Sequence, residues 1–289
     1  MNTNPRRFPV FHAWMLLAAL ALAAQPGFSA PASKSKAQGK PPAVAAHADS
    51  MAVPPSLTPL QDTLALKWVG AAVLAHGGRP PREQLRDLQW TATVTQHGRG
   101  GMTRVAQYEE SIRVAPAGWS LRLAVRNGPA SGSVFVATPD TDWAYEDSVP
   151  LINRRALTFP AVQLALERTL LEFPWAIAGG SGAHLTAVPD TTNASARIVD
   201  AILPNRAGLW RIGFDPGTSM VASVSWWHGD LLGAPEYRVE LSGYQEAGGL
   251  QLATQRRIFE GDSRDPAVEY ALTGLRVNSD LPDSLFRKR

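Results

Sequence analysis

The chain contains no cysteine. This excludes a secreted scaffold stapled by disulfides, and also a bacterial lipoprotein, whose lipid is carried on a cysteine at the cleavage site. A P-loop and a dinucleotide-binding fingerprint are both missing. His47, His76, His97, His184 and His228 are scattered, none at metal-ligand spacing with another His or a carboxylate on a helix face, and they read as ordinary surface or turn residues. Neither a metal nor a cofactor is therefore expected. Nor is there a basic stripe interleaved with aromatics: of the formal net charge of +3, two units are Arg6 and Arg7, and Lys34, Lys36 and Lys40 come soon after. Nucleic acid is not an expected partner.

One long apolar run is present, at the N-terminus. Arg6 and Arg7 precede the apolar stretch from Trp14 to Ala24, and Phe28-Ser29-Ala30 offers small residues for cleavage. The run has signal-peptide length, shorter than a bilayer span, so residues 1–30 are expected to be a cleaved export signal, with an uncleaved anchor as the alternative. No second such run is present, and a soluble periplasmic protein is expected. Residues 31–56 are rich in Pro, Ala, Ser and Lys without an apolar period, which predicts an extended linker. Residues 57–289 then suffice for one domain whose apolar core replaces disulfides.

Alternation dominates that domain. Leu88, Trp90, Ala92 and Val94 interleave with polar partners. In the next strand Ala106, Tyr108, Ile112 and Val114 share one side, and then Trp119, Leu121, Leu123 and Val125 do so. Shorter strands are predicted at Ser133 to Ala137 and Asp142 to Tyr145. Six more are predicted at Ser195 to Leu203, Leu209 to Phe214, Met220 to Trp227, Glu236 to Leu241, Leu250 to Phe259 and Val268 to Val277. Trp226 and Trp227 are adjacent on a strand, so they must face opposite ways.

Two helices are predicted. Thr58-Pro59-Leu60-Gln61 has the form of a capping box, with Leu57, Leu60, Leu64, Trp68, Ala71 and Ala75 at helical spacing before Gly77-Gly78. A second helix starts near Pro160 and stops at Pro174. Its stripe is Val162, Leu166, Thr169, Leu170 and Phe173, with Gln163, Glu167 and Arg168 outside. It reads either as an ordinary helix packed on a sheet or as a lid hinged at Gly179-Gly180-Ser181-Gly182. The fold class is thus mainly β (α+β): one curved antiparallel sheet of about eleven strands, an open and incomplete barrel capped by helices.

No catalytic cluster emerges, and an enzyme is not expected. Gly179-Gly180-Ser181-Gly182-Ala183 is one residue short of a nucleophile elbow and comes after a helix. Glu109 and Glu110 are neighbours on a strand and face opposite ways, which excludes a direct dyad.

The segment Tyr244 to Leu252 and the tail Asn278 to Phe286 resemble the closing strands of LolA-like proteins, the outer-membrane lipoprotein-sorting superfamily that includes LolB-, LppX- and RseB-like forms. Ile112 to Trp119 is similar to that family's strand-turn-strand around a proline, and Val134 to Tyr145, ending Asp142-Trp143-Ala144-Tyr145, to its strand pair ending in Trp-x-Tyr. The resemblance covers most of residues 60–286. It implies a curved open barrel around an apolar cavity that receives acyl chains. The LolA carrier has an arginine before the turn proline that is implicated in holding its lid, whereas this chain has Ala115, with Arg113 on the same face.

The resemblance further implies a periplasmic carrier or chaperone for lipid or acylated protein. It would be monomeric and served by donor and acceptor proteins of the inner or outer membrane. The expected cavity and lid residues are Trp90, Val94, Tyr108, Trp119, Leu121, Leu123, Trp143, Tyr145, Val162, Leu166, Leu170, Phe173, Trp175, Trp226, Tyr237 and Val239. Two alternatives stand beside this reading: an RseB-like envelope sensor signalling to a membrane partner, and a hydrolase using Ser181 with His184 or His228.

Overall fold

The computed structural model describes residues 62–98, 101–115, 118–128, 130–146, 149–150, 154–178, 183–189, 195–202, 209–227 and 237–287. The predicted export signal and linker lie outside these residues. Among the described residues there are three α-helices, α1 Thr63–Ala75, α2 Arg79–Glu83 and α3 Arg154–Ala178, and one 3-10 turn, Asp283–Phe286. The strands are β1 Asp87–His97, β2 Thr103–Ala115, β3 Gly118–Asn127, β4 Ser133–Ala137, β5 Asp142–Glu146, β6 Val149–Pro150, β7 His184–Val188, β8 Arg197–Ile202, β9 Leu209–Phe214, β10 Val221–Trp227, β11 Tyr237–Ala247, β12 Leu250–Glu260 and β13 Val268–Val277.

All thirteen form one antiparallel sheet, in the order β6, β5, β4, β3, β2, β1, β13, β12, β11, β10, β9, β8, β7. The alternation in the sequence anticipates eleven of them; β6 and β7, at the two edges, are additional. The sheet does not close, since β6 and β7 pair only inward. Two meanders, β1 to β6 and β7 to β13, grow outward from a seam where β1 pairs with β13. A bulge in that seam between Gln89 and Thr91 strengthens the coiling, and Gly274 opposite it holds φ at 64°, which side chains other than glycine rarely adopt.

Helix α3 links the two edges. Laid flat, thirteen strands would measure about 58 Å across, whereas 25 helical residues extend about 38 Å. The sheet curls around the helix, which packs on β3, β4, β5 and α1. Pro160 and Pro174, expected at its ends, both lie within α3. A proline beyond the first turn removes a single helical hydrogen bond, and packing on both sides carries the helix past it.

Helix α1 begins later than the capping box suggests. Asp62 is its N-cap, accepting from the Leu64 and Ala65 amides at 2.8 and 3.3 Å, while its other oxygen accepts from the Ala187 amide of β7 at 2.8 Å. This tie rotates the helix, so that Ala65, Val69, Ala72 and Val73 are buried and Leu64 is exposed. Residues 57–61 lie outside the described residues.

The main core is the concave face: Leu88, Trp90, Ala92 and Val94 of β1, Leu121 and Leu123 of β3, Tyr270 and Leu272 of β13, and their neighbours. Across β9, β10 and β11 the rings of Trp210, Trp226 and Tyr237 stack at 5.7 and 5.9 Å. Trp227 faces the convex side, as the pleat requires, and is covered there by the Arg211 guanidinium at 5.4 Å.

The C-terminal tail closes the seam from outside. Asp87 is buried, and its carboxylate accepts from the Ser279 amide and hydroxyl and from the Asp280 and Leu281 amides. Arg113 bonds Asp283 and the Leu281 carbonyl, with its guanidinium 4.7 Å over the Phe286 ring. Asp87→Ala strands these donors and is expected to lower the unfolding free energy by roughly 2–4 kcal/mol in urea denaturation. A loss below about 0.5 kcal/mol, the range of a neutral surface change, would show that the tail clasps nothing.

Candidate functional site

Among the described residues the concave face is mostly apolar, and at its centre β2, β12 and α3 bring together Glu110, Arg256, Glu167 and Gln163. Their exposures are 0, 5, 0 and 1 %. A buried charge must be paired. Arg256 Nη1 donates to both oxygens of Glu167, at 2.6 and 2.7 Å, and the Gln163 amide donates to Glu167 at 3.1 Å. The guanidinium also lies 5.8 Å over the Trp90 ring. Burial alone would lower the Arg256 pKa, but the Glu167 carboxylate and its hydrogen bonds outweigh that and raise it.

Glu110 is the unusual member. Neither of its oxygens closes a hydrogen bond of normal geometry, although the Trp90 indole and the Gln163 amide lie beside them. Burial first, and the Glu167 charge second, push its pKa up to about 8. At neutral pH it is a carboxylic acid, able to donate as well as accept. Tyr108 and Tyr270 adjoin it from β2 and β13, and burial raises both phenols.

Two further ties hold α3 at the rim. Arg82 of α2 bonds Glu172 at 2.7 Å, and the Trp175 indole donates to the Gly78 carbonyl at 2.9 Å. Trp175 also meets the His76 ring edge-on at 6.0 Å. Burial lowers the His76 pKa, so that imidazole is held neutral.

The concave space expected from the sequence is occupied by this helix. Beside it remains a cavity of about 30 Å³, bordered by His76, Leu170, Trp175, Val224, Tyr244 and Arg256. That is room for a water molecule or two, far short of an acyl chain.

The fold separates the residues singled out in the sequence. Trp90, Val94, Tyr108, Trp119, Leu121, Leu123, Leu166, Trp226 and Val239 line the main core, with Leu170, Trp175 and Tyr237 packed against it. Trp143 and Tyr145 do not join them. The pleat of β5 turns Ala144 inward, so these two rings form a separate cluster with Ala124, Val134 and Val136 on the convex face. Val162 and Phe173 fall on α3, and their side chains lie outside the described residues.

Gln163 and Glu167, read as the outer face of the helix, instead point inward, where Arg256 supplies the counter-charge that admits them. Arg113, the candidate replacement for the missing family arginine, holds the tail. Ser181 and His228 lie outside the described residues, and His184 is on edge strand β7. Glu109 and Glu110 do part to opposite faces: Glu109 pairs with Arg122 and Arg126 outside.

This arrangement is an open, curled antiparallel sheet with a helix laid through its concave face. Comparison with solved structures identifies the same architecture elsewhere. A DUF1329 family protein from Desulfovibrio piger superposes with a TM-score of 0.51 at 12% identity, over 77% of this chain and 97% of its own. A LolA superfamily protein from Nitrosomonas europaea gives 0.51 at 9% identity, over 78% and 97%. The chain has a LolA-like fold. MucB, at a TM-score of 0.29, is too dissimilar to argue from. No protein-family model and no curated protein matches the chain.

The buried cluster has two measurable consequences. Between about pH 4.5 and 8 the folded protein keeps a proton on Glu110 that the unfolded chain has lost, so this group's contribution to stability falls as pH rises through that window and levels off above it. Glu110→Gln should flatten that fall, and a slope identical to the native one would disprove the coupling. Arg256→Met leaves Glu167 buried and unpaired, and should cost about 3–5 kcal/mol. Adding Glu167→Leu should recover most of the loss; equal loss in the single and double variants would show that the ion pair is not the cause.

Proposed function

We propose that this protein is a periplasmic carrier or chaperone that shelters the acyl chains of a lipid or lipid-modified protein on its concave face, in the space α3 now fills. The observation that carries this reading is the way α3 is held. A helix inside an apolar trough is fixed at its centre by a buried ion pair and at the rim by Arg82 to Glu172 and Trp175 to Gly78. These ties are few and polar, so groups of a ligand or partner that replace them can release the helix, whereas breaking the pair without a replacement is costly.

The energetics favour exchange over capture. A sixteen-carbon chain gains about 12 kcal/mol on leaving water, at about 0.8 kcal/mol per methylene, whether its host is bilayer or protein. Moving it from membrane to trough is therefore nearly neutral. The balance is set by what closing α3 returns, so the helix is the lever that loading and unloading partners work against.

Because the chain has no cysteine, the helix can be tethered selectively. Arg82→Cys and Glu172→Cys, joined by a short thiol-reactive linker that reductant removes, should pin α3 to α2. Lipid uptake from vesicles, measured by native mass spectrometry, is expected to fall at least about tenfold when linked and to recover on reduction. Undiminished uptake in the linked form would refute displacement of α3, and no uptake by the native protein would refute lipid binding itself.

A further inference from the structure

The central cluster constrains the chemistry of the guest. Arg256 sits on β12, part of the sheet, but the carboxylate that pairs with it sits on α3. If α3 moves aside to admit a ligand, as the proposed function requires and on which this inference rests, Glu167 goes with it. A guanidinium does not give up its proton, and left unpaired at this depth it would be strongly destabilising.

What remains around Arg256 on the sheet is rich in donors. Its Nε makes no hydrogen bond even in the closed state. The Trp90 indole N–H comes from β1, and the Tyr108 and Tyr270 phenols come from β2 and β13. Glu110, buried among them, has no hydrogen bond to the guanidinium. As an acid it presents an O–H to an incoming anion, whereas a second negative charge there would meet the same repulsion that Glu167 now exerts on it. His76, at the neighbouring cavity, contributes no charge while neutral. The group that best replaces Glu167 therefore carries one negative charge and accepts several hydrogen bonds. Around it the sheet is mostly apolar: Val224, Leu241 and Leu252 border the adjoining cavity, with Tyr244 and Gln251 at its polar side.

We propose that the trough takes a long-chain carboxylate, its tail along the concave face and its head on Arg256 in the position Glu167 occupies when α3 is closed. The helix and the ligand then compete for one guanidinium, and Glu167 acts as an internal surrogate for the ligand head.

The test compares dodecanoate, methyl dodecanoate and dodecanol as competitors of a neutral fluorescent probe on the full mature chain at pH 7. Charge-assisted hydrogen bonds predict that the acid binds at least about tenfold more tightly than the ester or the alcohol. In the variant carrying Arg256→Gln with Glu167→Gln, which removes both charges at nearly constant shape, that preference should shrink to within about twofold while ester and alcohol still bind. Arg256→Lys keeps the charge and should keep a reduced preference, which guards against misfolding of the double variant. Equal binding of the three ligands by the native protein, or an undiminished preference in the double variant, overturns the headgroup assignment and leaves the lipid-binding reading intact. Failure of all three to bind the native protein overturns both.

Discussion

The chain has to return from one edge of its sheet to the other. Each meander grows outward from the seam between β1 and β13, so β6 and β7 finish as far apart as thirteen strands allow, and α3 must bridge them. A helix that joins opposite edges cannot lie beside the sheet as a local crossover does. It runs through the concavity, and whatever polar groups it carries there must find partners on the sheet. The Arg256 to Glu167 pair, the inward Gln163 and the neutral Glu110 all result from that passage.

The same passage decides how the interior is filled. A sheet of this curvature has room for a second layer, and α3 supplies it; the cavity beside it, bordered by described residues, holds little more than water. In this LolA-like fold the concavity is occupied by the chain's own helix.

Much of the sheet was legible because alternation is a direct record of which face is buried. Strands β4, β9 and β13 have the boundaries their sequences suggest. The edge strands escaped because β6 is two residues long and β7 is short and half exposed. The charged centre escaped for a different reason: polarity outweighed phase. Glu110 lies in register with Tyr108 and Ile112, and Arg256 with Leu252 and Ile258, so the pleat alone places both inside. On α3, Gln163 and Glu167 are one turn apart and flank Leu166, and periodicity without knowledge of Arg256 assigns them to solvent. Trp143 and Tyr145 show the converse. Two aromatic rings suggested a lining, while the small Ala144 between them marked the inner face.

The seam also dictates an order of events for a chain that emerges from its N-terminus. Strand β1 meets β13 only after roughly 180 intervening residues have appeared, and the tail that seals Asp87 comes later still. Until then one edge of β1 presents an unsatisfied ladder of amides and carbonyls, and α3, already made and able to pack on the first meander, waits for its Arg256 partner on β12. Loop closure over such a separation is slow. Completion thus waits for β13 and the Ser279–Leu281 segment that follows it, and the buried Asp87 carboxylate is the catch on which that late contact closes.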